Sequence, residues 1–363
     1  MPVFDIDRTE LEVAYSVQAG SLETVYDVGG NEIVLDGTPD IPVTPLTWNM
    51  TESYKSQILS ALNFIKTYKR SNPGAYALCQ FNDVHEAFNA NEPNFIDYNK
   101  GYKVLDRMIF LGDMVETNTV TASRNAVAFI NGAQASKRLV GMGNHEYFLS
   151  GITDPEAVYA PLTTETVTFM PTENNALIFY NDDEKNNVRY IFLDYYYITK
   201  TGANNGHLVD DAQLNWCASV MESAGNMNII ILAHTMMNPF FFANTGAQQS
   251  SAATLVNQQN LVDLINVFKA RASKTITVDG VAHVHDFSAC TGDFVMYTSG
   301  HWHALAHNDF GFQMITCPSL KRAYGAGQDV GFTFYIIDPR IKTIKAIMCS
   351  KNFSSYVSYD YDY

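Results

Sequence analysis

Seven polar residues of this chain stand at the ends of apolar segments. They are Asp83 and His85 in Asp83-Val84-His85, Asp113 in Gly112-Asp113-Met114-Val115-Glu116, and Asn144 in Gly143-Asn144-His145-Glu146. His234 closes the run Ile229-Ile230-Ile231-Leu232-Ala233, and His301 and His303 follow Gly300 in His301-Trp302-His303. Mixed carboxylate, amide and imidazole donors suit divalent Mn, Fe, Zn or Ni better than Cu(I) or Ca. A carboxylate shared between two ions holds them ~3.5–4 Å apart, the span of a phosphoryl group. The inventory therefore points to a pair of metals and to metal-assisted hydrolysis. Taken singly, each residue has a plainer reading. Asp83 is a turn residue after a strand, Asn144 a left-handed residue after Gly143, and His234 the end of a buried strand. Their joint occurrence carries the signal.

Strand ends must bring these residues together. Ala75–Phe81 reads as a buried strand ending at Asp83, Met108–Leu111 as one ending at Asp113, and Leu139-Val140 as a short one ending at Asn144. Asp83 to Asp113 is 30 residues and Asp113 to Asn144 is 31, each about one strand–crossover–strand unit. The second interval holds a predicted helix over Ala122–Asn131. The first is rich in Asn, Pro and Gly, and its helix is poorly marked. Polar residues at the carboxyl ends of successive parallel strands face one crevice.

Before this stretch, Tyr54, Ile58, Ala61, Leu62, Ile65 and Tyr68 mark a helix that Asn72-Pro73-Gly74 stops. After it come a strand over 187–196, a helix over 210–224, a strand over 229–233 and a helix over 255–270. The remainder is β-rich: 275–278, 281–287, 294–299, 312–317, 332–337 and 341–349. This texture predicts an α/β fold of two packed mixed sheets flanked by helices. Residues 1–47 differ. Leu22–Val28 and Glu32–Leu35 flank Gly29-Gly30-Asn31, the pattern of a hairpin, and the Pro-containing stretch up to Pro45 reads as a linker. The expected organisation is thus a small β-rich N-terminal appendage over 1–47, a main domain over 48–350 and a Tyr/Asp-rich tail over 351–363 with little order.

Bulk composition narrows the partners. The chain has 363 residues, 38 acidic against 23 basic, and a formal charge of −15, which does not favour tracking a nucleic-acid backbone. Two divalent ions would leave the site cationic even so, because Asp83 and Asp113 offset only half their charge. No run approaches the ~20 apolar residues of a membrane span, and the first residues lack the basic start and apolar stretch of a signal peptide. The expected location is cytoplasmic or virion-associated. The five cysteines are dispersed without a Cys-x-x-Cys pair, which argues against a disulfide framework and a thiolate metal site.

In this order, Asp83-x-His85, Gly112-Asp113-x-x-Glu116, Gly143-Asn144-His145-Glu146, His234 and Gly300-His301-x-His303 resemble the calcineurin-like metallophosphoesterase superfamily. The resemblance covers roughly residues 48–350. It implies a four-layer α/β/β/α sandwich and a site for two divalent ions, manganese favoured. By the family pattern Asp83, His85 and His303 would bind one ion, Asn144, His234 and His301 the other, and Asp113 both. A hydroxide between the ions would then attack phosphorus, with His145 as general acid towards the leaving oxygen. His145 and Asp113 are thus the candidate catalytic residues.

The substrate would be a small phosphomonoester or phosphodiester. Candidate substrate contacts are Asn144, His145, Phe240, Phe241 and His307. Glu116-Thr117-Asn118 and Gly141-Met142 stand where the phosphoprotein phosphatases of this superfamily carry arginines, which argues against a Ser/Thr protein phosphatase. Glu116 and Glu146 read as partners orienting a ligand histidine or as ordinary first-turn acids, the latter favoured. The pair His283-x-His285 reads as a decoy on a hairpin turned by Asp279-Gly280. His207 reads as a surface residue. An alternative from another class is a structural or assembly protein, such as a phage virion or tail component, that associates through residues 1–47.

Overall fold

The run Ile229–Ala233 is apolar throughout because it is covered on both faces. Ile230 and Leu232 lie in the core between two sheets, whereas Ile229, Ile231 and Ala233 lie in a second core on the opposite side. A strand buried on both faces needs no polar alternation. The computed structural model describes residues 49–87, 91–117, 119–147, 155–171, 177–195, 209–249, 257–321 and 329–363, and the backbone of four two-residue strands before residue 48.

The first sheet has six strands in the order Val357–Asp362, Thr343–Ser350, Gly331–Asp338, Tyr76–Phe81, Arg107–Leu111, Arg138–Gly141. The last three are mutually parallel, and the first three join antiparallel. Among the described residues the second sheet has nine strands. Its centre is four parallel strands, Gln313–Thr316, Phe294–Ser299, Asn228–Ala233 and Val188–Leu193. Antiparallel strands flank this centre, so both sheets are mixed as the sequence predicted.

Ile109 and Leu111 of the first sheet share one core with Phe192 and Leu232 of the second. Helices close the outer faces. Glu52–Ser71 lays Ile58, Leu62 and Ile65 on the first sheet; its N-terminus is capped by Thr51, whose hydroxyl accepts from the Tyr54 amide at 3.2 Å. Gly74, at φ 94°, turns the chain after it. Asp211–Glu222 and Gln258–Lys269 cover the second sheet through Leu214, Met221, Leu261 and Phe268. The four-layer α/β/β/α order follows.

Other expectations changed in detail. The crossover from Asp83 to Asp113 does contain a helix, but a short one, Glu92–Tyr98, followed by a single 3-10 turn at Gly101–Lys103. The expected tail is corrected. Val357–Asp362 pairs along Thr343–Met348 as an edge strand, so the main unit runs to Tyr363. Its alternation explains why: Val357, Tyr359 and Tyr361 are half-buried while Ser358, Asp360 and Asp362 are exposed. Composition suggested disorder, but period two outweighed it.

Residues Met1–Thr47 form a separate compact unit in which Val25–Tyr26 pairs antiparallel with Glu32–Ile33. The Gly29-Gly30-Asn31 turn, the linker and His207 lie outside the described residues.

At the start of Arg107–Leu111, away from the crest that carries Asp113, Arg107 joins the two sheets. Its guanidinium donates to Asp183 of the second sheet and to Glu165 at 3.0 Å, and it stands over the Tyr190 ring at 4.9 Å. All three charged side chains are largely or fully buried. Replacing Arg107 by Met leaves the buried Asp183 without its counter-ion, with only the Asn186 donors still bonded to it. The expected loss is about 3–5 kcal/mol of unfolding free energy, read from the urea midpoint; a change below ~1 kcal/mol would show the ion pairs to be dispensable.

Candidate metal centre

Five of the seven predicted donors sit in left-handed backbone. Asp83 (φ 49°), His85 (45°), Asp113 (51°), His301 (69°) and His303 (56°) all have positive φ, and none is glycine. Such residues cost of order 1–3 kcal/mol each, so they persist only where the surrounding structure dictates them. Asn144 is not among them. It opens the four-residue helix Asn144–Tyr147, and the reading of Asn144 as a left-handed turn residue is overturned.

The three parallel strands of the first sheet deliver Asp83, Asp113 and Asn144 just past their carboxyl ends, and Asn228–Ala233 and Phe294–Ser299 deliver His234 and His301 in the same way. Adjacent loops lock together through the backbone: Asp83 N donates to Gly112 O at 3.1 Å and His85 N to Asp113 O at 3.0 Å. Two glycines permit the approach. A Cβ on Gly143 would stand 2.3 Å from Asp113 Oδ1 and 2.9 Å from the His234 ring. One on Gly300 would stand 2.7 Å from Asp83 Oδ2.

Each aspartate divides its two oxygens between two tasks. Asp83 Oδ2 accepts from the Asn82 side-chain amide and from His301 N at 2.7 Å. Asp83 Oδ1 is buried without a well-directed hydrogen bond, yet Nε2 of His303, His85 and His234 lie 3.3, 3.8 and 3.8 Å from it. Asp113 Oδ1 accepts from His145 N at 2.9 Å. Asp113 Oδ2 faces His234 Nε2 at 3.1 Å, with His85 and His145 Nε2 each at 3.8 Å. The imidazoles also converge: His85 Nε2 is 3.2 Å from His303 Nε2, and His301 Nδ1 is 3.2 Å from His234 Nε2. His234 Nδ1 donates to Leu111 O at 2.9 Å, which turns Nε2 towards the other donors.

Donor atoms of Asp83, His85 and His303 all lie within 4.8 Å of one another. So do those of Asp113, His234 and His301, and those of His85, Asp113 and His145. Asn144 Oδ1 is buried with no hydrogen-bond partner. Buried acceptors left in that condition cost free energy unless something else satisfies them. The residues present fit a divalent pair.

His145 is half-buried. Its Nδ1 donates to the Glu116 carbonyl at 2.6 Å, so Nε2 is the atom turned towards Asp113. Its ring lies edge-on to His85, centroids 4.7 Å apart.

The two glutamates do more than the favoured reading allowed. Glu146 is buried and gathers the amides of Gly143, Asp113 and Met114 at 2.7–2.8 Å, pinning the second motif block to the third. Burial and the Asp113 carboxylate raise its pKa. The Glu116 carboxylate lies 3.6 Å from His85 Nδ1 and accepts from Lys321 at 2.7 Å.

Substrate candidates fare less well. Phe240 is fully buried in the strand Phe240–Phe242, edge-on to Trp302 at 5.5 Å, so its reading as a substrate contact is corrected; a strand turns alternate residues inward. Phe241 is half-buried on the other face beside His307, whose ring partners are Phe241 and Tyr361 at 6.4 and 5.1 Å. Burial lowers the His307 pKa. His285 bonds to Glu222 and Asn215 on the hairpin Ser273–Asp286, a packing role. Sequence reading passed over Asn82, which carries no signal beyond its place before Asp83.

Electrostatics matches the geometry. Burial alone would raise Asp83 and Asp113; the surrounding imidazoles, His303 and His234 for Asp83 and His234 and His145 for Asp113, overcome it and hold both carboxylates below their ordinary range. Burial would lower His234, but Asp113 and Asp83 outweigh it and lift its pKa to about 10. The ordinary value is about 6.5. The His234 proton therefore stabilises the metal-free fold fully below that pH, and this contribution is lost as pH rises towards 10. An ion taken up at Nε2 must expel that proton. Calorimetric titration with Mn²⁺ at pH 7.5, in buffers of different ionisation enthalpy, should show release of about one proton or more per chain; heats independent of buffer would contradict His234 as a ligand.

No family model matches the sequence, and no curated protein matches it. Solved structures do. A dimetal phosphatase from Danio rerio aligns over 79% of this chain and 99% of its own, at 12% identity and TM-score 0.48. A predicted phosphoesterase from Streptococcus pneumoniae aligns over 80% and 98%, at 10% identity and TM-score 0.34. The NAD nucleotidase of Haemophilus influenzae aligns over 73% of this chain and 48% of its own, at 15% identity and TM-score 0.40. The paired mixed sheets, the flanking helices and the meeting of the motif blocks are the fold that the resemblance to the calcineurin-like metallophosphoesterase superfamily implied.

Proposed function

We propose that this protein is a metal-dependent phosphoesterase acting on a small phosphomonoester or phosphodiester. The observation that carries the reading is the divided carboxylates. Asp83 and Asp113 each commit one oxygen to N–H donors and turn the other towards imidazole nitrogens. In this reading Asp83, His85 and His303 hold one divalent ion, Asn144, His234 and His301 hold the other, and Asp113 serves both. When bound, the ions supply Lewis-acid charge that neutralises phosphoryl oxygens and acidifies water.

The chain's own residues supply position and a proton. The Asn144 amide would hold an ion through its oxygen without adding negative charge, which would keep the centre attractive to a phosphate. His145, fixed through Nδ1 by the Glu116 carbonyl, presents Nε2 to the leaving oxygen and acts as general acid when protonated there. The net charge of −15 opposes a polyanionic partner, and a small ester suits a locally cationic site.

A second role rests on the separate unit Met1–Thr47. In that reading the unit tethers the enzyme to an assembly such as a virion. Deleting residues 1–47 would then leave turnover unchanged and abolish incorporation.

The enzymatic reading is tested by counting bound metals and assaying chromogenic phosphomonoesters and diesters with Mn²⁺. Turnover on at least one class is expected; a filled site inert on both would overturn it. His145→Gln should keep its metal content and lower kcat about 10²–10⁴-fold for an alkoxide leaving group, but far less for a nitrophenolate, which needs no proton. Equal losses on both would remove His145 from the acid role.

A further inference from the structure

Asp194 closes the strand Val188–Leu193, which runs parallel to Asn228–Ala233, so it stands on the same crest as His234. It is buried, at 2% exposure, and none of the five motif blocks includes it. Its backbone is gripped on both sides by one side chain: Asp194 N donates to Gln213 Oε1 and Gln213 Nε2 donates to Asp194 O, each at 2.9 Å. Gln213 is itself fixed in the first turn of Asp211–Glu222, where its amide donates to the Asp210 cap at 2.6 Å. The Asp194 carboxylate so held accepts from the hydroxyl of Tyr147.

Tyr147 is the last residue of Asn144–Tyr147. Residues three apart share a helix face, so its tether lies beneath Asn144. Glu146 already ties this helix to the Gly112–Met114 loop of the first sheet. Tyr147 ties it to the second. A four-residue helix has too few internal hydrogen bonds to fix its own orientation. Its side-chain anchors, His145 and Glu146 to the first sheet's loop and Tyr147 to the second sheet, set where Asn144 Oδ1 points.

We infer that Asp194, through Tyr147, is a positioning residue for Asn144 and hence for one of the two ion sites. This rests on the proposed two-ion reading. It predicts a selective effect, because Asp83, His85 and His303 are positioned by other contacts.

The test is Mn²⁺ titration of the full chain, with Asn144→Ala marking which of two binding steps uses Asn144. Tyr147→Phe and Asp194→Ala should each weaken that step about 10–100-fold and leave the other within about twofold. The double variant should be no weaker than the worse single one, since both remove one bond. Asp194→Asn keeps an acceptor oxygen and should restore affinity to within about threefold of the native protein, which also controls for folding. Equal weakening of both steps, additive losses, or no change would overturn the inference. A native chain that binds two ions while the variants bind like it sinks the tether alone. A native chain that binds fewer than two sinks the two-ion reading as well.

Discussion

Two buried carboxylates must stay ionised within reach of the same imidazoles, and the rest of the architecture answers to that requirement. Desolvation opposes charge on both Asp83 and Asp113, and the imidazoles around them overcome it. Fixed N–H donors then decide which oxygen is left over. Asn82 and His301 N occupy one oxygen of Asp83, and His145 N occupies one oxygen of Asp113. A carboxylate free to rotate would satisfy itself with whichever donor came near. One pinned in this way keeps a lone pair aimed at the centre.

Pinning requires partners from both sheets, and a polar seam within the core supplies them. Gln80 donates to Asn82 Oδ1 at 3.1 Å and to Ser299 O at 2.9 Å, and accepts from Thr298 at 2.7 Å. Asn82 reaches across to Cys317 O at 3.2 Å. Residues flanking Asp83 on the first sheet thereby bond to residues just before His301 on the second. Buried polar groups of this kind destabilise a core when half satisfied and order it when paired. The five left-handed residues are the strained counterpart: the loops turn sharply enough to face one another because these bonds and the apolar layers hold them there.

The layers set the distances in turn. Ile109, Leu111, Phe192 and Leu232 pack between the sheets, and Arg107 clamps them at the far end. A site assembled from five loops on two sheets has few means of correcting an error in that separation. This places part of its performance in apolar packing remote from any donor.

The sequence by itself determined the elements and the donor types. Apolar runs ended in Asp, Asn or His, crossovers had the right length, and periodicity of 3.6 or 2 marked most helices and strands; all of these are local, and local order is written in neighbouring residues. It misjudged Val357–Asp362, where composition hid the alternation, and Phe240, whose inward turn depends on which face of its strand meets the core. Only the tertiary structure decided which oxygen of each aspartate stays available, why Glu146 is needed, and that Asp194 and Tyr147 meet. Most of those facts are contacts between residues far apart in the chain, such as His145 N with Asp113, 32 positions apart, and Asp83 with His301, 218 apart. Spacing along a chain does not encode a direction in space; packing two twisted sheets against one another does.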